Sequence, residues 1–328
     1  MPPSLKRSRR AAFTQSLKKA EIRMAQAGKP IFLDYDQAAL DAQYNNRLRW
    51  PDYKEHFANW RTWSIRTRAK LPCHLDLAFG PDPTENLDIF PAAPSCADSG
   101  APLCVFIHGG YWYSLDKADY SYVAEGLRPH GIATAVNNFG LAPDTGMDEI
   151  VRQNRAALAW LWRNARTYGA DPDRIYVCGH SAGGHLAVML LATNWPAFES
   201  GLPGDLVKGV CSIGGLFDME AIRLSYLNKT LKMSKQEAAR NAPLEQRYPF
   251  SAPLSLVVAV DETPEYHRQS QAMADLWRGL AYPVELLVPR GLNHFDVVNQ
   301  LRDPGCELVK VQLAEMKKSF RQSRNRTP

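Results

Sequence analysis

The stretch from Arg174 to Thr193, RIYVCGHSAGGHLAVMLLAT, restricts what this chain can fold into more than any other. Ile175, Tyr176, Val177 and Cys178 read as a short apolar strand. A tight turn follows (Gly179, His180, Ser181, Ala182, Gly183), and from Gly184 onward the residues suit a buried helix. G-x-S-x-G between a strand and a helix sets its serine at a sharp, strained bend, so that the hydroxyl stands clear of the sheet. The glycines two residues to either side leave room for the neighbouring strand and helix. The helix that follows aims the positive end of its dipole at the same place. Ser181 is the expected nucleophile.

Around this stretch, short apolar strands alternate with helical periodicity. Leu103–Ile107 is a continuous apolar run, as suits a strand buried on both faces of a parallel sheet. Ile132–Val136, Val207–Ile213, Leu254–Val260 and Val284–Val288 read as further strands, and residues 149–166 and Ser121–Leu127 as helices. Gly169 and Asp171-Pro172-Asp173 are expected to turn the chain into the strand before Ser181. The fold class is α/β: a mostly parallel central sheet with helices on both faces. Residues 217–250 are helix-like and charged and lie between two core strands, which predicts a small helical cap. Ahead of the sheet, His74–Phe79 and Leu87–Pro91 suggest a hairpin. Residues 35–68 suggest two helices, one ending at Asn45–Asn46 and one over Tyr53–Arg66. Phe57, Trp60 and Trp63 fall on one side of the second and read as core packing, with a pocket wall as the alternative.

The expected division is a basic tail over 1–30, a domain over 31–322 and a basic tail over 323–328. The net charge of +5 gathers at the two ends. An acid-free basic start admits a transit peptide or a nucleic-acid arm, but a solvated tail is the simpler expectation. It contains no apolar h-region, and no apolar run reaches the roughly 18 residues of a membrane span. Six cysteines without a CxxC pair, three of them inside strand-like runs, read as core residues of a reducing, cytoplasmic protein with no metal site. The expected partner is a small-molecule acyl substrate, with no nucleic acid, no membrane and no cofactor. Whether the chain pairs as a homodimer is left open.

A serine hydroxyl needs a base, a group that orients the base, and donors for the oxyanion. Where the nucleophile sits on such an elbow, acid and histidine follow it in chain order. His294 lies in a loop after the last strand, where open α/β sheets keep their sites, and is the expected base. His180 and His185 flank the serine too closely for that role, and His108 is expected to brace a turn. The acid should follow the strand at Leu254–Val260, where Asp261 and Glu262 stand side by side. Oxyanion donors are expected from the amide of Ala182 and from Gly109, Gly110 and Tyr111 in His108-Gly109-Gly110-Tyr111-Trp112. Tyr111, Trp112 and Phe217 are expected as aromatic walls for the substrate.

With HGGYW, GHSAGGH, DETPEYHRQS and NHFDVVNQL in view, the chain resembles the kynurenine formamidase (arylformamidase) group of α/β-hydrolases. The likeness runs from Tyr35 to about Leu301 and includes YDQAALDAQYNNR and DKADYSYVAEGL. It implies an α/β-hydrolase fold, Ser181 as nucleophile, His294 as base and HGGYW as the oxyanion turn. Glu262-Thr263-Pro264-Glu265-Tyr266 fits the group's acidic segment and favours Glu262 over Asp261. The chain departs from the group at Asn138-Phe139-Gly140-Leu141-Ala142-Pro143, which lacks the tyrosine and basic residue often found there. The implied reaction is serine-dependent cleavage of an N-formyl aryl amide such as N-formylkynurenine, with a carboxylesterase or broader amidase as the alternative.

Overall fold

The computed structural model describes residues 28–93 and 100–324. The basic stretch at the N-terminus and the end of the C-terminal tail lie outside the described residues. Among them, eight strands form one sheet: β1 (His74–Ala78), β2 (Asn86–Phe90), β3 (Ala101–Ile107), β4 (Ala133–Asn137), β5 (Ala170–His180), β6 (Val207–Ile213), β7 (Leu254–Val257) and β8 (Val284–Leu287). Their order is β1-β2-β4-β3-β5-β6-β7-β8. β1 and β2 form the antiparallel hairpin, β2 pairs antiparallel with β4, and every later pairing is parallel. β5, which carries Ser181 at its end, is central.

The continuous apolar runs are explained by burial on both faces. Side chains alternate across a strand. In β3, Leu103, Val105 and Ile107 enter one core while Cys104 and Phe106 enter the other. The first core is covered by helices Met147–Asn164, Ala182–Leu191 and Pro264–Gly279, through residues such as Leu158, Leu186 and Trp277. The second is covered by helices Tyr53–Lys70 and Glu307–Arg324, through Trp60 and Val309. Over 217–250 the chain folds into three short α-helices, Met219–Leu224, Asn228–Leu231 and Lys235–Arg240, and a 3-10 turn at Pro243–Glu245. None of the helices among the described residues is long and apolar enough to cross a membrane.

Two local expectations change. Asp171-Pro172-Asp173 lie inside β5 rather than in a turn before it. Ala101 already pairs with Ala170, and the Ala101 N–H donates to Gly169 O at 3.0 Å, so pairing starts earlier than the apolar run. The stretch expected as a helix over Ser121–Leu127 breaks into a 3-10 turn at Ser121–Val123 and one α-turn at Ala124–Leu127. Ser121, Tyr122, Val123, Ala124, Gly126 and Leu127 are all buried, so burial here follows no single helical stripe.

Candidate active site

The elbow is built from main-chain geometry. Gly179 and His180 pair with Ser212 and Ile213 of β6, and the Ser181 N–H donates to Ile213 O at 2.7 Å. Ser181 then takes φ 57 and ψ −119, a conformation that side chains avoid unless the surroundings impose it. They do so here through close approach. A Cβ on Gly183 would stand 2.0 Å from Ile107 O, so only glycine lets the helix begin directly over β3. All ten residues of the following helix are buried, which fixes its axis. Its first amide, that of Ala182, has no acceptor within the helix.

His294 arrives on the loop after β8, and Glu262 on the loop after β7. His294 Nε2 lies 3.0 Å from Ser181 Oγ, and His294 Nδ1 lies 2.9 Å from Glu262 Oε2. All three are buried, at 3% exposure for Ser181, 2% for His294 and 4% for Glu262. The other Glu262 oxygen accepts the Ala259 N–H at 3.2 Å, which sets the plane of the carboxylate. Asp261, its sequence neighbour, is exposed, and its carbonyl accepts from Arg49 Nη2 at 3.1 Å. The two adjacent acids therefore separate cleanly: Glu262 meets the histidine and Asp261 faces solvent.

The imidazole of His294 is enclosed by aromatic rings. Trp50 lies parallel to it at 6.4 Å, Tyr266 at 5.0 Å, and Phe295 edge-on at 5.5 Å. His180 supports it from behind, where Nε2–H donates to the His294 carbonyl at 2.8 Å. Burial, reinforced by the neighbouring His294, holds the His180 pKa well below its ordinary value, so it stays neutral and keeps that donor in place. A Cβ on Gly214 would come within 3.0 Å of His294 Nδ1. Sequence reasoning missed that constraint, since nothing near Gly214 in sequence marks it as facing a histidine.

The HGGYW turn closes the other side. Gly110, Tyr111 and Trp112 all have positive φ (110, 52 and 59), and the turn is pinned by Ser114 Oγ donating to Gly110 O at 2.9 Å. His108 is buried, lies 2.8 Å through Nδ1 from the Gly109 carbonyl and stacks on Phe139 at 4.4 Å. Tyr111 is tied by its hydroxyl. It donates to Tyr44 O at 2.5 Å and meets the Tyr266 hydroxyl at 2.8 Å, which in turn accepts from Asn46 Nδ2 at 3.0 Å. The Tyr111 and Tyr266 phenols are pushed above their ordinary pKa by burial, so they remain protonated donors.

Ser181, His294, Gly110 and Tyr111 border one narrow cavity of about 20 Å³, the space of roughly one water molecule. Asn46, Arg47, Phe57, Trp60, Tyr120 and Phe295 also line it. Of the three aromatic walls expected from sequence, Tyr111 alone is among these residues. Trp112 is fully buried and donates to His185 Nδ1 at 3.2 Å, and Phe217 is fully buried with its N–H on Gln269 Oε1 at 2.7 Å. Both are used in packing. Phe57 and Trp60, expected in the core, do pack, and they border the cavity as well.

Comparison with known proteins bears on this arrangement. The BD-FAE family model matches residues 87–261, more than half of the chain. A kynurenine formamidase from Salmo salar is 30% identical over 85% of this chain and 94% of its own length. One from Danio rerio is 29% identical over 81% of this chain and 89% of its own. Among solved structures, a candidate thioesterase from Silicibacter sp. superposes with a TM-score of 0.72 at 27% identity, covering 83% of this chain and 98% of that one.

Proposed function

The chain belongs to the BD-FAE family and is a kynurenine formamidase-like α/β-hydrolase, and on that premise we propose that it hydrolyses an N-formyl aryl amide of the N-formylkynurenine type through Ser181, His294 and Glu262. The broader statement, a serine hydrolase acting on acyl or formamide bonds, holds for the family likeness as a whole. The hydrogen-bonded chain from Ser181 Oγ through His294 to Glu262, opening into the cavity bordered by the HGGYW turn, supports serine-dependent hydrolysis, and the likeness to kynurenine formamidases supports the formamide as substrate.

In this mechanism, His294 Nε2 takes the Ser181 proton as Oγ attacks the formyl carbon. Glu262 fixes the tautomer of the imidazole and stabilises its charged form. The amides of Ala182 and of Gly110 and Tyr111 receive the oxyanion, and each such donor is worth ~3–4 kcal/mol in the transition state. The imidazolium then protonates the departing amine. The formyl-enzyme is left, and water, deprotonated by His294, releases formate and regenerates Ser181. Asp261 has no part in this sequence.

A carboxylesterase would use the same residues, and the likeness to a candidate thioesterase favours keeping that second reading. Steady-state turnover of N-formylkynurenine beside phenyl acetate separates them. A kcat/KM for the formamide that exceeds the ester's by orders of magnitude supports the formamidase reading. Rapid ester cleavage with the formamide barely touched overturns it in favour of the esterase.

A further inference from the structure

We propose that Arg47 sets substrate selectivity in this cavity by pairing with a carboxylate on the side of the substrate remote from the scissile carbonyl. The inference rests on the reading that hydrolysis occurs at Ser181.

Arg47 borders the same cavity as Ser181 and His294. Among the described residues no carboxylate pairs with it, whereas half-buried Arg152 pairs with Glu85 and Glu149, Arg268 with Glu265 and Asp218, and Arg223 with Glu220. Its guanidinium instead lies over three aromatic rings, Tyr53 and Phe57 at 5.7 Å each and Tyr113 at 5.9 Å. It donates one hydrogen bond, from Nη2 to Ser114 Oγ at 2.9 Å. A guanidinium has five N–H donors in a planar fork shaped for a carboxylate, so most of its donor capacity is left for a ligand. The rings hold that fork in place and keep it partly out of water, where a charge-assisted pair gains strength.

Two further features point to a ligand. Ser114, the group Arg47 bonds, also donates to Gly110 O, so an anion drawn to Arg47 bears on the expected oxyanion turn through a single residue. Asn46, the preceding residue, is 1% exposed, and its Oδ1 has no partner among the described residues. It borders the cavity too, and so leaves one buried acceptor beside Arg47.

The test uses two matched pairs, each with one carboxylate-bearing and one neutral member. The formamides are 3-formamidobenzoate and formanilide, and the esters are 3-acetoxybenzoate and phenyl acetate. For the wild-type protein, Arg47→Met and Arg47→Lys, the quantity read is the ratio of kcat/KM for the charged member over the neutral one. The ratio is expected to fall at least tenfold in Arg47→Met, mostly through KM, with Arg47→Lys in between. A ratio unmoved by either variant overturns the proposal. If formamides are not cleaved, the formamidase reading fails on its own and the ester pair still decides the role of Arg47. If Arg47→Met does not fold, Arg47→Lys and competitive inhibition of the wild type by benzoate against benzamide decide it. Equal inhibition by the two overturns the proposal.

Discussion

The elbow around Ser181 and the strap of residues 37–70 border the same cavity, yet they are held in opposite ways. The elbow is held by backbone: parallel pairing to β6, a strained φ at Ser181, and a glycine that lets the helix touch β3. The strap is held largely by side chains reaching across the molecule. Thr263 Oγ1 donates to Gln43 O, Trp60 Nε1 to Asn299 Oδ1, and the tyrosines 44, 111 and 266 form a buried chain with Asn46. The difference teaches where each property resides. The proposed nucleophile sits on the element whose geometry the sheet dictates, while much of the cavity wall sits on an element whose position depends on a few polar tethers.

Changes at the elbow should therefore abolish turnover without unfolding the protein. Ser181→Ala is expected to lower kcat by about 10⁶-fold, with an unchanged melting temperature. A residual rate within tenfold of wild type would place the nucleophile elsewhere. Glu262→Gln should cost about 10⁴-fold by favouring the wrong His294 tautomer, measured as kcat on the same substrate. Asp261→Asn, its control, should change kcat less than twofold, and a larger loss there would reverse the assignment of the acid.

Buried histidines allow a test of the scaffold behind both regions. His185 accepts from Trp112 Nε1 and donates through Nε2 to Asn241 O, and burial lowers its pKa to about 4. Above the ordinary histidine range both folded and unfolded chains hold it neutral, so it contributes no pH dependence. As pH falls from about 6.5 towards 4, the unfolded chain binds a proton that the folded chain refuses, and stability declines by roughly 3 kcal/mol from this group. Denaturant melts between pH 7 and 5 should show that slope, reduced in His185→Gln. An equal slope in the variant would contradict it.

The smallest effect is expected at the tether. Tyr266→Phe leaves Asn46 Nδ2 and the Tyr111 hydroxyl each short of one buried partner, which costs about 1–3 kcal/mol of stability. The loss in kcat/KM should exceed that of Ser225→Ala, which removes a buried hydroxyl bonded only within its own turn. Equal activity losses in the two variants would mean that the strap does not position the site.

The same contrast explains how much was legible in the sequence. The parallel sheet, the elbow and the loops carrying His294 and the two acids each leave a local signature: an apolar run, a G-x-S-x-G, or a polar residue just past a strand. That Glu262 and not Asp261 lies against His294 depends on which way one loop turns, and spacing alone does not set that. The cavity wall was less legible. Asn46 and Arg47 line the same cavity as Ser181 from more than a hundred residues away, and an aromatic stripe such as Phe57 and Trp60 looks the same in sequence whether it only packs or also borders a cavity. Trp112 and Phe217 show the converse, since proximity to a motif does not set which way a ring points.

The central claim is that Ser181, activated by His294, is the reacting group. An aryl fluorophosphonate followed by intact-mass and peptide analysis tests it most directly. The account predicts one stoichiometric adduct on the peptide bearing Ser181, absent in Ser181→Ala and slowed by orders of magnitude in His294→Ala. An adduct on another residue, or a labelling rate that His294→Ala leaves unchanged, would contradict it.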